Sequence, residues 1–307
     1  MHPPSPSRRD LLRGAGLLGA AALLGVPMGC ASERGTRNLA FSVEQRAYGT
    51  DPLQVGELTL PLLGKPTPLV VLIHGGYWRT GFTRVELADL AQDLARVGYA
   101  SWNLDYRRVG DLGGGWSGTL LDVAMGIDKL AEIGAEKHLD LEHVAFLGHS
   151  AGAQLALWAA ARSKAAPDAL GMPPKVTAKA VVAMSGVLDL TDTAHTTSPG
   201  GEAELKKALN DFLGGTPETV PDRYAAVSPK ALLPIGVPQL LLHGTKDDRV
   251  SIEQSRAYVT AAKAVGDNVE LVELVDVDHF AVVESSKNWW DQVINWLGRT
   301  IGDPTSA

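Results

Sequence analysis

The sequence has one cysteine, Cys30, in 307 residues. No intramolecular disulfide can form, so packing and hydrogen bonding alone must hold the fold. This absence does not fix a compartment, because it suits a chain on either side of a membrane. Basic stretches are also missing. There are 28 Lys and Arg against 35 Asp and Glu, a net charge of −7. Such a balance argues against a nucleic-acid partner, which needs a basic track for phosphates. None of the eight histidines forms a His-Glu-x-x-His or comparable ligand spacing, so no metal is expected. The glycine-rich stretch Gly110 to Trp116 lacks Gly-x-Gly-x-x-Gly at a helix start, which excludes a dinucleotide site by this motif. No cofactor is expected. Internal repeats are absent, and no low-complexity tail follows residue 30.

The N-terminus stands apart. Ser7-Arg8-Arg9-Asp10-Leu11-Leu12-Arg13 is a twin-arginine pattern, and Gly14 to Val26 is an uncharged Ala/Leu/Gly-rich run. The run is too short and too mild for a membrane span. Residues 1–29 are therefore expected to be an export signal, with the folded domain over residues 40–302. The signal carries three arginines and one aspartate, so the remainder would carry −9. Cys30 follows a small residue at the end of the apolar run, as at a lipoprotein cleavage site. Pro27 departs from the usual aliphatic residue three positions earlier. A lipid anchor on Cys30 and a plain cut near Ala31 both remain open, and either makes the protein periplasmic or envelope-attached.

What is present is more specific. Gly148-His149-Ser150-Ala151-Gly152 reads Gly-x-Ser-x-Gly. His143 to Leu147 before it is short and strand-like, and Ala153 to Ala161 after it is rich in helix formers. Strand, glycine-flanked serine and helix form the nucleophile elbow. The turn leaves no room for side chains beside the serine, and its backbone raises Oγ above the sheet edge. The helix N-terminus then faces any developing anion.

A serine needs a base and an orienting acid. Leu240-Leu241-Leu242 signals a buried strand and opens into His243-Gly244-Thr245-Lys246-Asp247-Asp248-Arg249-Val250. Val269 to Val275 alternates with period two and ends in Asp276-Val277-Asp278-His279-Phe280. Both candidates follow the C-terminal end of a strand, where open α/β sheets build their sites. The assignment is Ser150 as nucleophile, Asp247 as acid and His279 as general base, with Asp248 as the competing acid. Asp276 and Asp278 are too close to His279 in sequence to meet its ring well. His74 and His243 end strands before glycines, where a ring can bond loop backbone. His138 and His143 flank Leu139 to Glu142 in an expected surface connection. His195 is the one other loop histidine to test.

Leu69 to Ile73 is a continuous apolar run, suited to a central strand covered on both faces. His74-Gly75-Gly76-Tyr77-Trp78 follows it. A glycine pair there lets backbone N–H groups approach an oxyanion. The expected donors are Gly76, Tyr77 and Ala151, the last being the residue after the nucleophile. Trp78, His149 and Arg249 flank these motifs and are the candidate substrate contacts.

The remaining chain alternates as a doubly wound α/β sheet should. Arg84 to Val97 and Leu120 to Ile133 are helical in spacing, Tyr99 to Tyr106 and Ala180 to Met184 strand-like. Ser251 to Val265 and Glu284 to Ile301 are the last helices, with Trp289, Trp290 and Trp296 expected in packing. Residues 187–235 break the rhythm with a polar, turn-prone stretch and then a helix near Glu202 to Leu213. They are expected to form a small cap insertion; a surface excursion is the alternative.

These motifs resemble the α/β-hydrolases over about residues 40–300. His-Gly-Gly-Tyr-Trp at 74–78, and His279-Phe280 followed by Glu284, are similar to the kynurenine formamidase and carboxylesterase-like branch. Asp247-Asp248-Arg249-Val250 resembles the prolyl oligopeptidase branch, which implies the first aspartate as the acid. Tyr77 stands where lipases of the His-Gly-Gly-Gly type have a third glycine. The resemblance implies an α/β-hydrolase fold: a mostly parallel central sheet, helices on both faces and a small cap. It also implies a serine hydrolase acting on a small-molecule ester or amide. Esters are expected first, arylformamide or peptide amides second. A non-catalytic binding protein of the envelope is the third possibility. Oligomeric state is left open.

Overall fold

The computed structural model describes residues 38–162, 170, 173–197 and 200–305. The expected export signal over residues 1–29, and Cys30, lie outside the described residues. Residues 37–307 form one compact unit.

Eight strands form one sheet in the order β1-β2-β4-β3-β5-β6-β7-β8. The hairpin of β1 (Phe41–Ala47) and β2 (Val55–Pro61) is antiparallel, and β2 pairs antiparallel with β4 (Ala100–Leu104). From β4 onward every pairing is parallel, through β3 (Thr67–Ile73), β5 (Leu139–His149), β6 (Ala180–Met184), β7 (Gln239–Gly244) and β8 (Val269–Leu274). The sheet is therefore mostly parallel, as expected.

The continuous apolar runs follow from burial on both faces. Leu69, Val71 and Ile73 of β3 enter one core, and Val70 and Leu72 enter the other. In β5, Val144 and Phe146 share the first core, Ala145 and Leu147 the second. The first face is covered by α2 (Gly118–Asp128), α3 (Leu130–Lys137), α4 (Ala151–Ala161) and α8 (Glu253–Ala264). The second is covered by α1 (Ala88–Arg96) and α9 (Asn288–Ile301). Trp290 and Trp296 of α9 are buried in that second core. Trp289 packs at its edge and donates to Val282 O at 3.1 Å. The three tryptophans thus pack as expected.

Several boundaries differ from expectation; the last helix, expected from Glu284, begins at Asn288. The helix expected from Arg84 begins as a 3-10 turn, Arg84–Leu87, capped by the Thr83 side chain. The span expected from Leu120 is divided at Lys129 into α2 and α3. Leu139 to Glu142, expected as a surface connection, is the start of β5. Register explains the error. Pro68 pairs with Asp140 but Leu69 pairs with Val144, so residues 141–143, two of them polar, bulge out of the ladder. Pro68 has no N–H to offer a ladder there.

The segment 187–235 holds three helices rather than one: α5 (Leu190–His195), α6 (Gly201–Leu213) and α7 (Pro221–Val227). It packs on the loop after β3. Phe212 stacks on Trp78 with ring centroids 4.9 Å apart and planes 3° from parallel, and Arg79 donates to Asp211 at 2.8 Å.

Candidate active site

Ser150 sits between β5 and α4 with φ 55° and ψ −120°. A non-glycine residue is strained there, by about 1–3 kcal/mol, and close packing enforces it. A Cβ on Gly148 would lie 2.1 Å from Gly152 O, and one on Gly152 would lie 2.0 Å from Ile73 O. Both flanking glycines are thus needed for the elbow to nest against β3. The Ser150 N–H donates to Met184 O at 2.8 Å and ties the elbow to β6.

Asp247 follows β7, and its side chain is fully buried. Oδ1 accepts the Arg249 and Val250 N–H groups at 2.9 Å each. Oδ2 lies 2.7 Å from His279 Nδ1. Burial pushes this carboxyl toward its neutral form. Hydrogen bonds from His243 and His279 and from the Val250 N–H outweigh burial, and hold its pKa well below the usual carboxylate range. An ionised carboxylate only accepts, so His279 Nδ1 carries hydrogen. In the neutral ring Nε2 is then a free base. His243 Nε2 is nearer to Val250 O, at 2.9 Å, than to Asp247 Oδ2, at 3.3 Å. Its main bond is to the loop carbonyl, as expected for a histidine ending a strand.

Asp248 does not meet the ring. Its side chain is 72% exposed and lies 3.4 Å from the Arg249 guanidinium. Asp276 pairs with Lys246 at 2.8 Å, and Asp278 caps the Phe280 and Ala281 N–H groups. His195 pairs with Glu218 at 2.7 Å, in α5. His279 is brought to the elbow through its neighbour: the His149 and His279 rings have centroids 4.7 Å apart. Among the described residues the Ser150 hydroxyl makes no hydrogen bond, to His279 or to any other group.

The turn after β3 is left-handed at three successive residues, Gly76 (φ 95°), Tyr77 (φ 56°) and Trp78 (φ 53°). Arg79 N closes it on Gly76 O at 2.9 Å. A Cβ on Gly76 would lie 2.2 Å from Phe82, and one on Gly75 would lie 2.8 Å from His149 O. Among the described residues, none accepts from the backbone N–H of Gly76, Tyr77 or Ala151. These are the three N–H groups expected to receive an oxyanion. His74 braces the turn, with Nδ1 2.8 Å from Gly75 O and its ring stacked on Tyr106 at 4.3 Å.

Two candidate substrate contacts are buried in this structure. Trp78 is fully buried against Phe212, and its Nε1–H donates to Gln154 Oε1 at 3.0 Å. His149 is 3% exposed and directs Nε2 at the His279 backbone. Arg249 is partly exposed, 3.6 Å from Glu204, and supplies an N–H to Asp247 Oδ1. Gln154 was not anticipated. It accepts from Trp78 and donates to Val227 O at 2.9 Å, so it joins the loop after β3 to the 187–235 segment. A glutamine in an otherwise apolar helix was the signal. Among the described residues no His, Cys, Asp and Glu cluster suits a metal ion.

Comparison with known proteins places the chain in a family. A protein-family model described as BD-FAE matches residues 58–262. Esterase LipC of Mycobacterium tuberculosis (strain ATCC 25618 / H37Rv) is 25% identical over 237 residues, covering 76% of this chain and 58% of its own. The chain thus spans just over half the length of that relative. Kynurenine formamidase of Danio rerio is 25% identical over 255 residues, covering 81% of this chain and 78% of its own. The crystal structure of esterase B from Lactobacillus rhamnosis superposes with a TM-score of 0.74 at 21% identity, covering 89% of this chain and 88% of the other, and shares the fold. The family match spans more than half of the sequence, and the mostly parallel sheet fits it: the chain belongs to the BD-FAE family, within the α/β-hydrolase superfamily.

Proposed function

We propose that the protein is a serine hydrolase of small carboxylic esters, acting through Ser150, His279 and Asp247. The observation that carries this reading is the 2.7 Å link from buried Asp247 to His279 Nδ1, beside a serine strained at an elbow. His279 Nε2 takes the Ser150 proton as Oγ attacks the ester carbonyl. The bond from Ser150 to His279 forms when substrate is in place, since catalytic hydrogen bonds tighten in the Michaelis complex. The N–H groups of Ala151, Gly76 and Tyr77 receive the oxyanion. His279 then protonates the departing alcohol, and water attacks the acyl-enzyme by the same steps in reverse roles. The 187–235 segment is read as the cap that shapes the acyl pocket.

Similarity to kynurenine formamidase over most of that protein's length favours amide hydrolysis as the second reading. Turnover of p-nitrophenyl acetate, N-formylkynurenine and a prolyl anilide, measured side by side, separates the two. Ester turnover should lead and should vanish in Ser150→Ala. Unchanged turnover in that variant contradicts the mechanism.

The twin-arginine pattern at residues 8–9 supports export, with Cys30 as a possible anchor point. Fractionation of cells expressing the full chain should place it in the envelope, and an Arg8→Lys, Arg9→Lys variant should leave it inside. Equal distribution of the two contradicts export by this route.

A further inference from the structure

The residue before the nucleophile is a buried histidine whose Nε2 lies 2.9 Å from the backbone O of His279. A carbonyl only accepts, so Nε2 carries hydrogen and donates. The two rings lie 4.7 Å apart, tilted by 43°. This one bond joins the end of β5 to the loop after β8, across 130 residues of sequence. We propose that His149 is a positioning residue: its Nε2–H fixes the His279 backbone, so that the His279 ring bridges Asp247 and Ser150.

The geometry of the His279 loop makes this anchor necessary. The ring is held by one side-chain bond, Nδ1 to Asp247. A ring on a single hydrogen bond can pivot about it, and the pivot carries Nε2 away from the serine. The bond to the His279 carbonyl fixes the backbone from which the ring projects. Asp278 Oδ1, accepting from Phe280 N at 2.9 Å and Ala281 N at 2.8 Å, holds the far side of the same loop. Because His149 adjoins Ser150 in sequence, nucleophile and base are located by one rigid segment. Gly75 completes the fit: any side chain there would press on His149 O and on Ser150 Cβ, 3.0 Å from the added atom. His149 also suits the chemistry. Burial, reinforced by the neighbouring His279, drives its pKa down to about 3, so it adds no like charge when His279 takes a proton.

The inference rests on the Ser150, His279 and Asp247 reading and is tested separately from it. His149→Leu removes the donor at similar size; His149→Gln restores an N–H donor. Both are measured in the full chain for turnover of p-nitrophenyl acetate, beside Ser150→Ala. Loss of the contacts that orient metal ligands typically costs 10–100-fold, and an orienting contact here is taken to be of similar size. We expect His149→Leu to lose about that factor in kcat with KM changed less than about twofold, because orientation acts on the transition state. His149→Gln should recover most of the loss. Full activity in His149→Leu, equal losses in both variants, or a loss confined to KM overturns the proposal. Nitrogen NMR of the unaltered protein supplies a readout that needs no variant. It should show His149 neutral with hydrogen on Nε2, and hydrogen on Nδ1 alone overturns the proposal. Turnover surviving in Ser150→Ala would instead defeat the underlying mechanism.

Discussion

Asp247 and Asp248 are neighbours with opposite surroundings, and chemistry should separate them cleanly. Asp247→Asn keeps the shape but offers His279 an amide in place of a carboxylate, which favours the wrong ring tautomer. The kcat should fall by about 10⁴ if the effect matches that in trypsin. Asp248→Asn, at a side chain 72% exposed, should change kcat by less than about twofold. Equal losses in ester turnover would reject the assignment. Strand spacing alone could not divide this pair, because it places both beyond β7; the resemblance implied Asp247, and the turn decides which carboxylate faces inward. Ser150 and His279 were legible for a plainer reason: each is fixed by a strand end and a motif. The placement of Trp78 was not legible, because an aromatic after a glycine pair gives the same signal whether its ring enters the cleft or the core. The left-handed backbone at Trp78, φ 53°, turns it inward onto Phe212.

At the scale of elements, the Trp78 and Phe212 stack is the main apolar tie between the loop after β3 and α6. Phe212 is fully buried, so Phe212→Ala should lower stability by about 3–5 kcal/mol. Urea unfolding should show a lower midpoint with the slope unchanged. A shift below about 1 kcal/mol would mean that the segment is only loosely seated. The central strands were legible because parallel strands buried on both faces need unbroken apolar runs. The β1 and β2 hairpin was not, since Phe41–Ala47 forms the sheet edge with alternating exposed residues and its pairing is set by partners rather than by composition. The bulge at residues 141–143 hid the start of β5 for a related reason: residues that leave a ladder have the polarity of a loop.

For the molecule as a whole, buried titratable groups set the pH range of stability. His149 has its pKa lowered to about 3 in the fold, against about 6.5 in an unfolded chain. The unfolded state therefore binds its proton first, and stability present above pH ~6.5 is lost as pH falls toward 3. Asp247, held below the usual carboxylate range, adds a further loss below pH ~4. Tyr224 is pushed up to about 12 by burial, and Tyr106 and Tyr258 are raised for the same reason. Their contribution is present below pH ~10 and lost as pH rises past it. The melting temperature should therefore fall on both sides of a neutral plateau, and His149→Gln should flatten the acid limb between pH 6.5 and 4. An acid limb identical in the two proteins would contradict the buried, neutral state of His149.

The central claim is that His279, oriented by Asp247, activates Ser150. The most direct measurement is the rate and site of covalent labelling by a fluorophosphonate, followed by peptide mass spectrometry in the unaltered protein and in His279→Ala. The account predicts one adduct, on the peptide containing Ser150, forming at least ~10²-fold more slowly without the imidazole, given the 10²–10⁴-fold typical of positioned proton transfer. An adduct on another residue, or equal labelling rates in the two proteins, would contradict it.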